Sequence, residues 1–487
     1  MMPAKDLRRN LGMMMDFYEL TMAAGYLDDG CQDNIAVFDM FYRSNPDGAG
    51  FAIVAGLEQF IEALANLSFT EEDIAFLRRK GGFSEKFLDY LRQFKFTCNV
   101  WAVPEGTPVF PNEPLLTVEG PCIEAQLIET LLLVTVNHQS LICTKASRMV
   151  RACDGRTLLE FGARRAQGYD AALYGARAAY IGGVHATSCA MADREFGIPA
   201  VGTMAHSWVQ MFDSEYEAFE RYARLYPDDC LLLVDTYSVL KTGVPNAIRV
   251  FDEVLKPLGH RPKGIRIDSG DIAYLSKKAR KMLDDAGYPD ATIMASNSLD
   301  EYIVRDLLRQ GACIDGFGIG ENLITARSNP VFGGVYKLAA VKKGGQYIPK
   351  IKISETAAKI TTPGLKRLWR IYDNDSGQAM ADYITLWDEE VDATNGITLF
   401  DPIETWKQRT FTNCYAKLLS VPVYQEGRLV YTPPALEDVR AYCQAQVNTL
   451  WDEVRRFENP HRYYVDLSQK LWDQRQALLT AASAEAL

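Results

Sequence analysis

The sequence predicts an α/β protein whose middle part is a parallel (β/α) barrel-like domain. The main observation is a series of short apolar runs, each ending in a polar or glycine-rich turn, and most of them are about one βαβ unit of ~30 residues apart. The six runs are 157–161, 198–201, 230–234, 264–267, 291–295 and 314–319. Repeated β-then-α units imply a parallel sheet, and this number of units suggests an open or closed barrel.

Helical patterns between the runs are the second observation. One apolar stripe with helical spacing is formed by Ile272, Leu275, Ala279, Met282 and Leu283. Gly287 is predicted to end that helix. The segment 298–301 has the pattern of a capping box that begins the next helix, which ends at Gly311.

The segments on both sides of the barrel mix helices and strands. Before residue 125, a helix is predicted from Asp16, a strand over 36–42, and helices with N-caps at Thr70 and Ser84. After Pro330, strands are predicted over 335–342, 347–353, 364–372 and 380–387. We therefore expect an α+β N-terminal domain, 1–124, completed by 333–433, a barrel-like domain, 125–332, and a C-terminal helical segment, 434–487.

Composition limits the class of protein. The chain has 487 residues, 48% of them hydrophobic, with a formal net charge of −11. This is ordinary globular composition, and the acidic balance argues against non-specific nucleic-acid binding. Ten cysteines without a Cys-x-x-Cys pair indicate reduced thiols in a cytoplasmic protein. The apolar segment 125–143 carries Glu129, Asn137, His138 and Gln139 and is predicted to be a buried helix, not a membrane span.

Polar side chains and glycines follow the predicted strands, where barrels and doubly wound sheets collect their chemistry. In chain order they are Arg164 and Arg165, Thr203 and His206, Asp235, Arg266 and Asp268, Ser296, and Gly318 with Gly320.

Each of these residues has a functional and a structural interpretation. The two adjacent arginines suit phosphate or pyrophosphate, because guanidinium binds such groups bidentately, but they also suit a solvated loop. His206 follows an apolar run in a turn of small residues, which presents a reactive imidazole or forms an ordinary turn. Asp235 is placed to bind a metal or a ribose hydroxyl, or to cap the following helix.

Two further strand ends are more specific. Arg266 and Asp268 alternate along a strand and so point to one side, where a buried pair is costly unless it binds a ligand. Gly318 and Gly320 would let backbone amides approach a phosphate. Together the strand ends match a phosphorylated sugar with a divalent metal. They match neither hydride transfer, which needs a full dinucleotide fingerprint, nor a metal-dependent hydrolase, which needs more strand-end histidines.

The chain resembles the nicotinate phosphoribosyltransferase family from near its N-terminus to about Tyr464. The segments that carry the resemblance are 16–22, 160–168, 202–207, 234–238, 264–271, 317–320, 359–370 and 459–461. The resemblance implies the fold of type II phosphoribosyltransferases. It also implies the joining of nicotinate to 5-phosphoribosyl 1-pyrophosphate, coupled to ATP hydrolysis and giving nicotinate mononucleotide in NAD salvage.

Residue roles follow from the same resemblance. His206 matches the residue that ATP transiently phosphorylates, and Tyr18 and Phe161 match aromatics that sandwich the pyridine ring. Arg164, Asp235, Arg266, Asp268 and the two glycines match positions that bind base, ribose or phosphate. Arg165, Thr203 and Ser296 are expected to bind substrate with them. Mg²⁺ is expected on the departing pyrophosphate, with Asp268 as its ligand. The family implies a homodimer in which the Tyr18 equivalent comes from the partner chain.

Two rival functions stay open on the sequence alone. One is a nicotinamide phosphoribosyltransferase, which would use the amide instead of the acid. The other is a non-catalytic phosphosugar-binding protein on the same fold. The retention of polar residues at every strand end argues against a degenerate copy.

Overall fold

The computed structural model describes residues 10–356 and 359–485. The chain divides into two compact units, Met1–Leu141 with Val331–Leu487, and Ile142–Pro330. The division falls within one long helix, Glu129–Ala152, whereas the sequence assigned that apolar segment wholly to the barrel. The C-terminal segment 434–487 groups with the first unit and contains a strand as well as helices.

The elements are as follows in chain order. Those up to residue 126 are α1 (Phe17–Asp28), β1 (Ile35–Phe41), β2 (Ala52–Ile53), α2 (Leu57–Ala65), α3 (Glu71–Lys80), α4 (Glu85–Arg92), β3 (Asn99–Ala102), β4 (Pro108–Val109), β5 (Leu116–Pro121) and α5 (Cys122–Gln126). Those from 129 to 324 are α6 (Glu129–Ala152), β6 (Thr157–Glu160), α7 (Tyr169–Ile181), β7 (Ala186–Thr187), α8 (Ala190–Phe196), α9 (His206–Gln210), α10 (Glu215–Leu225), β8 (Leu231–Leu233), α11 (Val244–Val250), β9 (Gly264–Ile267), α12 (Ile272–Asp285), β10 (Thr292–Asn297), α13 (Glu301–Arg309), β11 (Gly316–Ile319) and α14 (Glu321–Ile324). The rest are β12 (Val335–Lys343), β13 (Gln346–Pro349), β14 (Lys366–Asp373), β15 (Ala379–Leu386), β16 (Ile397–Phe400), β17 (Gln408–Phe411), β18 (Cys414–Leu418), β19 (Val421–Gln425), β20 (Arg428–Leu429), α15 (Leu436–Thr449), α16 (Asp452–Arg455), β21 (Val465–Leu467) and α17 (Gln469–Glu485).

The first unit is built from both ends of the chain. Its seven-stranded sheet has the order β13-β12-β1-β5-β3-β19-β20, so strands from before and after the barrel-like segment pair directly. In the antiparallel pair β1–β12, Phe38 lies opposite Leu338. The predicted N-caps are confirmed, since Thr70 Oγ1 accepts from Asp73 N at 3.2 Å and Ser84 Oγ accepts from Phe87 N at 3.3 Å.

The second unit contains a six-stranded parallel sheet with the order β7-β6-β11-β10-β9-β8. Because β11 pairs with β6, the last strand returns to the first. The order is that of a six-stranded barrel opened between β7 and β8, which are the sheet edges. All strands are parallel, so their carboxyl ends lie along one rim. The barrel-like fold predicted from the repeated apolar runs is therefore confirmed.

Burial explains these strands and the helix that covers them. Ile265 and Ile267 on β9 are fully buried in a core that also contains Ala279 and Leu283 of α12. Gly287 follows α12 with a φ of +86°, the left-handed conformation that ends a helix at little steric cost for glycine.

Two sequence predictions about this unit are wrong. The run 198–201 does not form a strand of the sheet, because Pro199 has no amide hydrogen to donate. It contacts only β7, where Thr187 N donates to Pro199 O at 3.0 Å and Val201 N donates to Thr187 O at 2.8 Å. The N-cap of α13 is Asp300, which accepts from Tyr302 N and Ile303 N at 3.0 and 2.8 Å.

The predicted capping box at 298–301 fails because Glu301 is occupied elsewhere. Its carboxylate is fully buried and pairs with Lys145 Nζ at 2.6 Å and Arg148 Nε at 3.0 Å. A carboxylate held by two cations is not free to reach back to the helix start.

The segment Cys122–Ala152 is long and apolar enough for a membrane span by length and composition. Most of its most apolar stretch is buried inside the protein, as in the core helix of a globular fold. This agrees with the buried helix predicted for that region.

Candidate active site

His206 is the first residue of α9 and follows the extended Ala205 at the rim of the sheet. Its Nδ1 lies 3.1 Å from Thr236 Oγ1, and its Nε2 lies 3.9 Å from Asp268 Oδ2. The side chain is 42% exposed, so the imidazole is both held and accessible. Thr236 is therefore the hydrogen-bond partner that the sequence left unidentified.

Two aspartates reach the same place from adjacent strands. Asp235 follows β8 and Asp268 follows β9, and Asp235 Oδ2 accepts from Asp268 N at 3.2 Å and from Ser269 Oγ at 2.6 Å. Ser296, at the end of β10, donates its hydroxyl to Asp268 Oδ1. Hydrogen bonds from neighbouring strand ends thus fix the orientation of both carboxylates.

The donor set fits a divalent cation. One ligand atom each from His206, Asp235 and Asp268 lie within 4.8 Å of one another. Asp235 Oδ1 is buried and has no hydrogen-bond partner in the structure. Carboxylate oxygens are the ligands that Mg²⁺ prefers, whereas imidazole is not. The two aspartates are therefore the better Mg²⁺ ligands, which leaves His206 available for other chemistry.

Asp235 does not cap the helical segment that follows β8, which was the alternative role considered for it. Ser238 Oγ accepts from Lys241 N at 3.4 Å and so caps the helical segment that follows β8. Asp271 does cap α12, accepting from Tyr274 N at 3.0 Å.

Arg266 carries an unused buried donor. Its Nη2 donates to Met204 O at 2.8 Å, instead of pairing with Asp268 as its position along β9 suggested. Its Nε is buried without a hydrogen-bond partner, and so is the hydroxyl of Thr203. A buried polar group left unpaired costs about 1–3 kcal/mol, so two of them at one rim indicate that a polar ligand completes this site.

The electrostatics point to an anion. Burial lowers the pKa of Arg266, an effect that the charges of Asp268 and Asp235 oppose and that of Arg164 reinforces. A guanidinium remains protonated despite such a shift. Arg164 and Arg165 lie in the 3₁₀ turn Ala163–Arg165 with exposed side chains. The rim thus brings like-charged guanidinium groups near each other, an arrangement that a bound anion stabilises.

Phe161 follows β6, and its amide donates to Ile319 O at 2.8 Å. Its ring lies against Gly318, and its carbonyl lies next to Gly320. The space that side chains at 318 and 320 would occupy is therefore filled by Phe161, a use of these glycines that the sequence did not suggest.

The structure brings most of the predicted residues together on the second unit: His206, Asp235, Asp268, Arg266, Ser296, Thr203, Phe161, Gly318, Gly320 and the two arginines. Tyr18 is not among them, since it lies on α1 of the first unit, with a side chain that is 43% exposed. The sequence missed Thr236 and Ser269, although Thr236 directly follows Asp235. The Thr236 hydroxyl is 30 residues from His206 in the sequence, so no local pattern around His206 indicates the contact.

The first unit has a cavity of about 940 Å³ that the sequence did not predict from residue types. Asp39 is the only acidic side chain among its described lining residues, and it pairs with Lys366 at 2.6 Å. The basic side chains that line the cavity are Arg43, Lys337, Lys366, His461, Arg462 and Arg475. In a protein of net charge −11, this cationic lining is a second place suited to anionic groups.

Comparison with known proteins covers almost the whole chain. Three family models match: the nicotinate phosphoribosyltransferase (NAPRTase) N-terminal domain over 13–137, the NAPRTase family over 157–364, and the C-terminal domain over 365–475. Nicotinate phosphoribosyltransferase of Bacillus subtilis is 45% identical over 468 residues, which is 96% of this chain and 94% of the relative. Nicotinate phosphoribosyltransferase pncB2 of Mycobacterium tuberculosis is 39% identical over 99% of this chain and 96% of its own.

A solved structure agrees with these relatives. The crystal structure of human nicotinic acid phosphoribosyltransferase superposes with a TM-score of 0.84 at 30% identity, covering 95% of this chain and 99% of the human chain. The family model over 157–364 spans every strand end described above. The chain belongs to the nicotinate phosphoribosyltransferase family.

Proposed function

We propose that this chain is the enzyme of NAD salvage that transfers the phosphoribosyl group of 5-phosphoribosyl 1-pyrophosphate to nicotinate. The products are nicotinate mononucleotide and pyrophosphate. The observation that carries the proposal is the unpaired buried Nε of Arg266 beside Asp235, Asp268 and His206. The names of the relatives and the family models support the same reaction.

The two aspartates serve the ribosyl transfer. The bond from the anomeric carbon to pyrophosphate breaks as the nitrogen of nicotinate attacks, through a transition state with positive charge on the ribose. Asp235 and Asp268 place negative charge near that centre, and their orientation is fixed in advance by Ser269 and Ser296. Bound Mg²⁺, held by the same two carboxylates, would neutralise charge on the departing pyrophosphate.

Arg266 recognises the carboxylate of nicotinate. Its free, buried Nε and the neighbouring, exposed Arg164 offer donors to an anion. Phe161 supplies one aromatic face for the pyridine ring. For the second face we propose Tyr18 of the partner subunit in a homodimer, as the family resemblance implies, and its 43% exposed side chain is accessible for that role.

The phosphate groups bind at the other strand ends. Arg164, Arg165 and Thr203 lie at the rim, and the amide of Gly320 is near the end of β11. These groups would bind anionic ligands. Separately, we propose a cytoplasmic location, which the ten free cysteines support.

His206 couples ATP to the transfer. A lone pair on its imidazole attacks the γ-phosphorus of ATP, the bond from that phosphorus to the bridging oxygen breaks, and ADP leaves with the electron pair. Water later attacks the phosphoryl group, which returns the imidazole and releases phosphate. The half-exposed ring beside two carboxylates has the access this step needs.

A turnover assay tests the proposal. The purified chain is incubated with 5-phosphoribosyl 1-pyrophosphate and Mg²⁺, with nicotinate or nicotinamide, and with or without ATP. We expect nicotinate mononucleotide, faster with ATP, and little product from nicotinamide. Preference for the amide would assign the chain to nicotinamide phosphoribosyl transfer, and binding without turnover would assign it to a non-catalytic phosphosugar-binding role.

A further inference from the structure

Gly318 is in steric contact with the ring of Phe161. A Cβ atom at residue 318 would lie 2.5 Å from Phe161 Cδ2 and 2.6 Å from Cε2. Real Cβ atoms essentially never approach other atoms so closely, so a side chain at 318 would force a movement. Either the Phe161 ring or the backbone must move, in β11 at Gly318 or just after β6 at Phe161.

The backbone on both sides is held in place. Gly318 lies opposite Ser296 of β10 and Leu159 of β6, so it is paired on both edges within the sheet. Phe161 N donates to Ile319 O at 2.8 Å, and Gly162 N donates to the fully buried carboxylate of Glu160. The other oxygen of Glu160 accepts from Thr187 Oγ1 at 2.7 Å. The Phe161 ring, which turns about its own side-chain bonds, is therefore the part that yields.

We infer that Gly318 is a specificity-determining residue that sets where the Phe161 ring lies, and thereby the room for the pyridine ring of the substrate. The inference rests on the proposed function, in which Phe161 is one face of the nicotinate slot. It differs from a phosphate cradle at this glycine, because a residue paired on both sides within a parallel sheet has its amide engaged by the sheet. The missing side chain at 318, not its amide, is the functional feature.

The variant that tests this is Gly318→Ala, with Gly316→Ala as its matched control. Gly316 belongs to the same strand, but a Cβ there would meet the Sδ and Cε atoms of Met294, at 2.6 and 2.7 Å, and Thr157 O at 3.1 Å, and not Phe161. The flexible methionine end can move aside. We expect Gly318→Ala to raise the KM for nicotinate about tenfold and to leave the KM for 5-phosphoribosyl 1-pyrophosphate within twofold. Gly316→Ala should change neither constant by more than twofold.

A double variant separates steric contact from general damage. In a Phe161→Ala background the ring is absent, so adding Gly318→Ala should change the KM for nicotinate by less than twofold. If Gly318→Ala alone fails to fold, recovery of folding in the double variant, measured by thermal unfolding, supports the same contact.

Three outcomes would overturn the inference. A tenfold effect of Gly318→Ala that persists in the Phe161→Ala background places its cause elsewhere. An equal rise in KM for the sugar phosphate would return Gly318 to the phosphate site. If the wild-type protein does not turn over nicotinate, the proposed function and the inference both fail. The wild-type assay is therefore done first, and the variants test the inference only when wild type is active.

Discussion

The hydrogen bond between Thr236 and His206 makes a sharp prediction for ATP coupling. Thr236→Val removes the hydroxyl that lies 3.1 Å from His206 Nδ1 and keeps the branched shape of the side chain. A hydrogen bond of this kind contributes about 0.5–1.5 kcal/mol net, and the half-exposed imidazole argues for the middle of that range. About 1 kcal/mol corresponds to roughly a fivefold loss in rate.

The loss should fall on one partial reaction. The described contact of the Thr236 side chain is with His206, so the variant should form phosphorylated protein about fivefold more slowly from ATP. Acid-labile phosphate on the protein, measured after rapid mixing with γ-labelled ATP, gives that rate. Transfer without ATP, measured at high sugar-phosphate concentration, should stay within twofold of wild type. Thr236→Ser keeps the hydroxyl and should restore phosphorylation.

Ser238→Ala is the matched control, because it removes a hydroxyl from the same loop that bonds to Lys241 N and not to His206. It should leave the rate of phosphorylation unchanged. Labelling of Thr236→Val at the wild-type rate would refute the reasoning, and so would an equal loss in Ser238→Ala.

Three further predictions concern other groups. His206→Ala should abolish stimulation by ATP but leave slow ATP-independent transfer; preserved stimulation in a steady-state assay would remove His206 from the coupling step. Arg266→Ala should weaken nicotinate binding by several kcal/mol, more than sugar-phosphate binding, when both are titrated by calorimetry; equal losses would place Arg266 with the phosphates. Burial raises the pKa of Glu19 to about 7, so the protonated form stabilises the fold below the unfolded pKa of about 4.3 and that stabilisation is lost as pH rises through about 7. Glu19→Gln should therefore flatten the fall in unfolding free energy between pH 5 and 7.5 in urea titrations, and an unchanged slope would exclude this carboxyl as its source.

Much of the fold was accessible from local pattern. Short apolar runs separated by helical stripes predicted the parallel sheet, because burial on both faces leaves strands almost continuously apolar. The end of α12 followed from Gly287, whose backbone preference acts within a few residues. The run 198–201 misled because its apolarity resembles that of a strand, whereas Pro199 limits its pairing to β7.

Residue types at strand ends also identified most of the candidate site. Parallel strands bring their carboxyl ends to one rim whatever the distance in sequence, so Asp235, Asp268 and Arg266 could be grouped without coordinates. Which hydrogen bonds these three side chains make could not be predicted in the same way. Arg266 bonds Met204 O and keeps a free Nε, because the orientation of a long side chain depends on which acceptors the fold places within reach.

The sequence by itself determined the repeated βα pattern, the N-caps of α3 and α4, and the chemical inventory of the rim, since these depend on neighbours a few residues apart. Only the tertiary structure decided that Thr236 holds His206, that Ser296 orients Asp268, and that Phe161 occupies the space left by Gly318. These contacts join residues 28 to 157 positions apart in the sequence, and the reason is physical. The curvature and register of the sheet select which side chains touch, and neither quantity is encoded at any single position.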